Sequence, residues 1–187
     1  MVAMSAQDFG RSLPSVITLD DLSAMIDADE RGHRYETSLE GVLFVGPPPD
    51  NGHAQTATDL MAWLIAAGFQ KQVAQGSGIR IPGPVVDGGR IPDLVVWSRP
   101  QPRSVVWNET ADLLLAIEIV SPGSAAIDQL IKVAEYAKVG IPRYWTVGRD
   151  PAQTVTIFQL ATSDTYETVT QIPLAEMLER SARDYLT

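Results

Sequence analysis

Residues 113–120 read Leu-Leu-Leu-Ala-Ile-Glu-Ile-Val, so every side chain in the run except that of Glu118 is apolar. A run that is apolar at both odd and even positions is typical of a strand that is buried on both faces. Ser121-Pro-Gly-Ser124 then interrupts the strand, and apolar residues at helical spacing predict a helix over residues 124–139. Residues 143–147 again have an extended pattern. This strand, helix, strand order predicts an α/β fold in which helices cover a central sheet.

The rest of the chain supplies further elements for one domain over residues 17–187, after a flexible tail of residues 1–16. Thr18 is predicted to cap a short helix that ends near Ala28. A long helix is predicted from His53 to Gly68, and a last helix over residues 174–183. Strand patterns occur at residues 33–37, 41–45, 69–74, 78–81, 90–97, 154–160 and 165–170.

Two carboxylates stand inside apolar strand patterns, Glu118 in residues 113–120 and Asp93 in residues 90–97. An ionised acid in such a strand costs several kcal/mol unless a metal ion, a cation or a proton compensates its charge. Pro92 donates no backbone hydrogen bond, so strand pairing is interrupted next to Asp93. Two strands with one inward acid each suit a divalent metal ion. For either acid alone, a surface position or an ion pair is the ordinary alternative.

Lys132 is the third candidate, because the chain contains only three lysines. It belongs to the row Asp128, Lys132 and Tyr136, which lies at the edge of the apolar stripe of the predicted helix. On its own this row is typical of a solvated edge with an ion pair between Asp128 and Lys132. A helix that leaves the turn after Glu118 is also able to direct Lys132 back towards the two acids.

Other kinds of catalytic site are disfavoured by composition and motifs. The chain has no cysteine, which excludes disulfide scaffolds, thiolate zinc sites and thiol nucleophiles. It has two histidines, His33 and His53, and His53 at a helix start is interpreted as a capping or packing residue. Phosphate-binding P-loop, dinucleotide, GxSxG and HExxH motifs do not occur. Carboxylate chemistry is what remains.

Charge and hydropathy limit the kinds of partner that the protein is expected to bind and the cellular compartment in which it is expected. A net charge of −9 argues against indiscriminate nucleic-acid binding, although residues 70–107 carry five basic residues against two acidic ones. The apolar runs are much shorter than the ~18 residues of a membrane span. The first residues lack a basic segment followed by an apolar one, so we expect a cytoplasmic protein without a membrane partner.

Several motifs, taken together and in order, resemble one known family. They are Arg34-Tyr-Glu36, Glu40-Gly41, a proline-rich loop before His53, Ile91-Pro-Asp93, Ile117-Glu-Ile-Val-Ser-Pro122, Asp128 with Lys132 and Tyr136, and Gly140-Ile-Pro-Arg-Tyr-Trp145. The combination is similar to the Uma-two family of bacterial restriction endonucleases, a branch of the PD-(D/E)XK nuclease superfamily. The resemblance extends from about Leu19 to Leu160.

The resemblance implies a restriction-endonuclease-like core, a mixed sheet flanked by helices, that hydrolyses DNA with Mg²⁺ or Mn²⁺ and is able to form a homodimer. Lys132 is then the catalytic lysine. The implied metal ligands are Asp93, Glu118, the backbone carbonyl of Ile119, and Glu36. The arginines expected to hold DNA phosphates are Arg80, Arg90 and Arg99.

The chain departs from the superfamily pattern at Val120, where the catalytic lysine ordinarily follows the second acid by two residues. In this family the lysine matches Lys132 on the following helix. A second departure is the segment of residues 36–40, Glu-Thr-Ser-Leu-Glu, where family members carry a more apolar segment and an aspartate before the glycine.

Two alternatives to a nuclease follow from the same residues. One is a nuclease-fold module without activity that binds nucleic acid or protein, which the net charge of −9 and the missing strand lysine favour. The other is a hydrolase with Ser121 or Ser124 as nucleophile, which lacks a well-placed histidine.

Overall fold

The computed structural model describes residues 16–120, 125–162 and 164–186. The predicted tail of residues 1–16 therefore lies outside the described residues, apart from Val16, as do Ser121 and Ser124. The α-helices within these ranges are α1 (Leu19–Ala28), α2 (Asn51–Leu64), α3 (Ala125–Lys138), α4 (Leu174–Leu178) and α5 (Arg183–Leu186); a π-helical turn, Ile65–Phe69, follows α2 directly. The strands are β1 (Arg34–Thr37), β2 (Leu43–Gly46), β3 (Val73–Gln75), β4 (Gly78–Ile81), β5 (Gly88–Arg90), β6 (Leu94–Trp97), β7 (Trp107–Asn108), β8 (Leu113–Ile119), β9 (Arg143–Val147), β10 (Thr154–Thr162) and β11 (Thr165–Pro173).

A six-stranded sheet forms the centre of the fold, in the order β11-β10-β9-β8-β6-β3. Strands β8 and β9 run parallel, because α3 carries the chain between them, and the other pairs are antiparallel. Strand β8 lies inside the sheet, and each of its residues except Leu114 is buried, which confirms the prediction of a strand that is covered on both faces. The mixed sheet predicted for this chain is confirmed.

The two faces of the sheet carry separate cores. Leu115 and Ile117 of β8 pack with α2 through Leu60 on one face. Ala116 packs on the other face with Tyr136 of α3. Glu118 follows Ala116 at the strand period of two, so its side chain lies on the face that α3 covers.

The predicted strand over residues 90–97 is wrong in one respect, because the structure divides it between two sheets. Strand β5 ends at Arg90 and belongs to a three-stranded sheet with β4 and β7, whereas β6 begins at Leu94 in the central sheet. Pro92 lies in the break and has no N–H to donate to a strand partner. The N–H of Ile91 bonds instead to Oε1 of Glu36 at 2.7 Å. Asp93 therefore lies in the segment that connects β5 of the three-stranded sheet to β6 of the central sheet.

Helix ends follow local side-chain chemistry. Thr18 caps α1 together with Asp21, as predicted, and Asp50 caps α2. The last predicted helix, residues 174–183, is wrong as a single element, because the chain forms α4 and then α5. Ser181 lies between them and its hydroxyl accepts a hydrogen bond from the N–H of Arg183 at 3.3 Å, which starts a new helix.

In the described part of the chain, every helix is too short or too polar to cross a membrane.

Candidate functional site

Asp93 and Glu118 occupy neighbouring strand ends of the central sheet. The pairing of β6 with β8 ends with Leu94 opposite Ile117, so Asp93 and Glu118 are the next position in the same antiparallel register. Residues opposite one another in such a register project to the same face. The negative charge of Asp93 contributes to the raised pKa of the Glu118 carboxyl. The two acids that the sequence singled out therefore lie together.

Three donors hold the Asp93 carboxylate. Its Oδ1 accepts hydrogen bonds from Nη1 of Arg34 and, at 2.9 Å, from Nε2 of His53. Its Oδ2 accepts one from the N–H of Ile119 at 2.6 Å. Burial alone would raise the pKa of Asp93, but the hydrogen bond from His53 and the charge of Arg34 outweigh it, and the pKa is lowered. Asp93 is therefore ionised and fixed in orientation.

Glu118 is bound by two side chains from α3. Its Oε1 accepts hydrogen bonds from Nζ of Lys132 at 3.0 Å and from the hydroxyl of Tyr136 at 2.9 Å. Burial, opposed by Lys132 and reinforced by the charges of Asp93 and Glu36, raises the pKa of Glu118 to about 7. Helix α3 thus directs Lys132 to the acids and not to a solvated edge, which is the second of the two arrangements that the sequence left open.

Glu36 of β1 lies on the other side of Lys132. Its Oε2 is 3.0 Å from Nζ of Lys132 and 3.4 Å from Nη1 of Arg90, and its Oε1 bonds to the N–H of Ile91. Burial alone would raise the pKa of Glu36, but the charges of Lys132 and Arg90 outweigh it and lower the pKa. Both oxygens of Glu36 are therefore engaged by groups of the protein.

The prediction that Arg90 holds a DNA phosphate is wrong. Arg90 is 0% exposed, and its Nε donates to Oε2 of Glu135 at 2.7 Å. Its guanidinium also lies over the ring of Phe44, 4.8 Å from the centroid. A side chain enclosed in this way cannot reach a ligand in solvent.

The other two arginines of that prediction lie on the surface. Arg80 is paired with Asp87 and Glu109, and Arg99 with Asp112, in ion pairs that are partly or largely exposed. Such pairs are weak, so both guanidinium groups are available to exchange partners.

The carboxylates suit a divalent cation by chemistry, and no ion is needed to hold them in place. They offer hard oxygen ligands, and the described hydrogen bonds of Glu118 end on Oε1 alone. Three glutamates, Glu36, Glu118 and Glu135, adjoin two cations, Lys132 and Arg90, so negative charge is in excess. Across residues 16–120, 125–162 and 164–186, no group of three or more acidic or histidine residues encloses a metal position as the side chains stand. Because an ionised carboxylate has about four lone-pair sites, the donor set fits Mg²⁺ or Mn²⁺ while Lys132 keeps its hydrogen bond to Oε1 of Glu118.

Three further residues belong to the site, although their sequence patterns did not assign them a role there. Arg34 and Tyr136 belong to quoted motifs, and the spacing of Tyr136 four residues after Lys132 was a usable signal for a shared target. His53 was interpreted as a capping or packing residue; it is 4% exposed and bonds to Asp93. The position of His53 directly after the proline-rich loop was the one sequence feature that pointed to a role in the site.

Comparison with known proteins places these observations in a family. A solved structure, that of a putative nuclease belonging to DUF820 from Anabaena variabilis, matches with a TM-score of 0.59 and 20% sequence identity, over 81% of this chain and 83% of that chain. Likeness at this identity shows a shared fold. No curated protein gave a match. The model of the Uma2 family, described as putative restriction endonuclease, matches residues 19–182. Because that match covers most of the chain, the protein belongs to the Uma2 family.

Proposed function

We propose that this protein is a metal-dependent endonuclease that hydrolyses DNA phosphodiester bonds. The observation that carries the proposal is the position of Lys132, whose Nζ lies 3.0 Å from Glu118 on the strand position next to Asp93. Carboxylates are able to hold a metal ion that assists phosphodiester hydrolysis, and a lysine beside them is able to stabilise the charge that develops on the phosphate. Lys132 reaches them from α3 and so replaces the donor that apolar Val120 lacks.

Asp93, Glu118 and the backbone carbonyl of Ile119 are the proposed metal ligands. When bound there, Mg²⁺ would lower the pKa of a bound water and neutralise charge that develops on the phosphate. Arg34 and His53 orient Asp93, and Tyr136 orients Glu118, through the hydrogen bonds described above. Lys132 would donate a hydrogen bond to the attacking water or to a phosphate oxygen.

Arg34 is the cation of this cluster that is best suited to contact DNA. Its side chain is 29% exposed, whereas those of Lys132 and Arg90 are 6% and 0% exposed. Arg80 and Arg99 are proposed to hold flanking phosphates from the surface.

The variant Arg34→Met is expected to weaken DNA binding and to lower the slope of log Kd against log salt concentration by about one, because one phosphate contact is lost. Fluorescence anisotropy in metal-free buffer measures both quantities without cleavage. Arg180→Met is the control, since Arg180 is an exposed, paired arginine on the C-terminal segment. An unchanged slope for Arg34→Met would mean that Arg34 does not contact a DNA phosphate.

Metal binding is the direct test of the proposal. We expect saturable Mn²⁺ binding in calorimetric titration of the wild type, and at least about 10–100-fold weaker binding for Asp93→Asn, because an amide replaces a charged ligand. Asp59→Asn, at an exposed position of α2, is the matched control and should bind Mn²⁺ like the wild type.

A second function, that of an inactive nuclease-fold module that binds nucleic acid or protein, is favoured by one observation. Arg34, Arg90 and Lys132 already compensate most of the negative charge of the acids without a metal ion. Absence of saturable Mn²⁺ binding to the wild type would support the module and contradict the nuclease.

A further inference from the structure

Five buried side chains form a row of alternating charge that we call the charge chain: Glu135, Arg90, Glu36, Lys132 and Glu118. Successive members are 2.7, 3.4, 3.0 and 3.0 Å apart between their nearest described charged atoms. Each member is at most 9% exposed. The charge chain connects β5, β1, α3 and β8 beneath the surface of the site.

A lysine on a helix is harder to position than a lysine on a strand. Where the lysine follows the second acid by two residues on one strand, the backbone fixes the direction of its side chain. Lys132 instead reaches Glu118 from α3 along a flexible four-carbon side chain. A single ion pair with Glu118 leaves that side chain free to pivot about the contact, so a second anchor is needed.

Glu36 has the geometry of that second anchor. Its Oε2 meets Nζ of Lys132 at 3.0 Å, the same distance as Oε1 of Glu118 on the other side. Glu36 is itself fixed, because its Oε1 accepts from the N–H of Ile91 at 2.7 Å and its Oε2 lies 3.4 Å from Arg90. Arg90 is in turn held by Glu135, whose Oε1 accepts from the N–H of Leu39 at 3.1 Å.

We infer that Glu36 is a positioning residue for Lys132 and not a metal ligand. The charge chain fixes Glu36 from behind, and Glu36 and Glu118 together hold the ammonium group of Lys132 in one place. This inference rests on the proposed function, because it assigns Lys132 a part in catalysis. It replaces the ligand role that the family resemblance implies for Glu36.

The test is a double-mutant cycle with Glu36→Gln and Lys132→Met. Glutamine keeps an acceptor for the N–H of Ile91 and removes the charge that binds Lys132. We expect Glu36→Gln to lower kcat by about 10–100-fold with unchanged KM and unchanged Mn²⁺ affinity in calorimetric titration. In the Lys132→Met background, Glu36→Gln should lower kcat no further. Glu167→Gln on the exposed edge strand β11 is the control and should match the wild type.

A loss of Mn²⁺ affinity of tenfold or more in Glu36→Gln would identify Glu36 as a ligand and overturn the inference. Independent, multiplicative losses of kcat in the double variant would also overturn it. Urea unfolding in metal-free buffer adds a readout that does not need cleavage, in which the shifts of the two single variants should be non-additive. If the wild type neither cleaves DNA nor binds Mn²⁺ but the unfolding shifts are non-additive, the proposed function fails while the contact between Glu36 and Lys132 stands.

Discussion

Replacement of Lys132 by methionine is expected to lower kcat for plasmid cleavage by about 10²–10³-fold, the range for loss of one hydrogen-bond donor that stabilises charge in the transition state. Methionine has a similar length and fills the same buried space, but it has no donor for a water or a phosphate oxygen. Mn²⁺ affinity should be retained or increased, because the ammonium group no longer competes for Glu118. Cleavage of supercoiled plasmid and calorimetric titration measure the two effects separately.

The control for this prediction lies on the same helix. Lys138 is exposed in the last turn of α3, and Lys138→Met makes the same chemical change away from the acids. Its kcat should equal that of the wild type. Turnover of Lys132→Met at the wild-type level would mean that the lysine missing at residue 120 has no replacement on α3, and the assignment of Lys132 would be withdrawn.

The sequence was sufficient to predict the centre of the fold because its signal there is local. Residues 113–119 are apolar at both odd and even positions apart from Glu118, so both faces of the strand must be buried. In the structure, α2 packs on one face and α3 on the other. Pro92 predicts the interruption of pairing next to Asp93, but not the division of residues 90–97 between two sheets. Which sheet each half joins depends on partners elsewhere in the chain, namely β4 for Arg90 and β8 for Leu94.

The acids of the site and Lys132 could be found from the sequence, but the other groups that compensate the acids could not. Glu118 and Asp93 stand out because each interrupts an apolar pattern within a few residues. Arg34 bonds to Asp93 from 59 residues away, and Arg90 bonds to Glu135 from 45 residues away. Composition counts such cations without showing whether they are buried, so it does not distinguish buried Arg90 from exposed Arg80 and Arg99.

Substitution of Arg90 by methionine is expected to have the largest effect on stability, a loss of about 3–5 kcal/mol in the free energy of unfolding. Arg90 is completely buried and faces Glu135 and Glu36, so its removal takes away the described counter-charge of Glu135 and leaves Glu36 with Lys132 alone. The stacking of the guanidinium on Phe44 is lost as well. Urea unfolding monitored by circular dichroism measures the difference.

A second variant, Glu135→Gln, tests whether the loss of unfolding free energy in Arg90→Met comes from the carboxylate charge that is left unpaired. Glu135→Gln keeps an acceptor for the N–H of Leu39 and removes the charge that Arg90 compensates. In the double variant, both members of the pair are neutral, so the loss should be smaller than the sum of the two single losses. Arg80→Met is the control, with an expected change of about 0–1 kcal/mol because its ion pairs are exposed. Additive losses in the double variant would show that the ion pair between Arg90 and Glu135 does not stabilise the fold, and the explanation by an unpaired Glu135 carboxylate would be withdrawn.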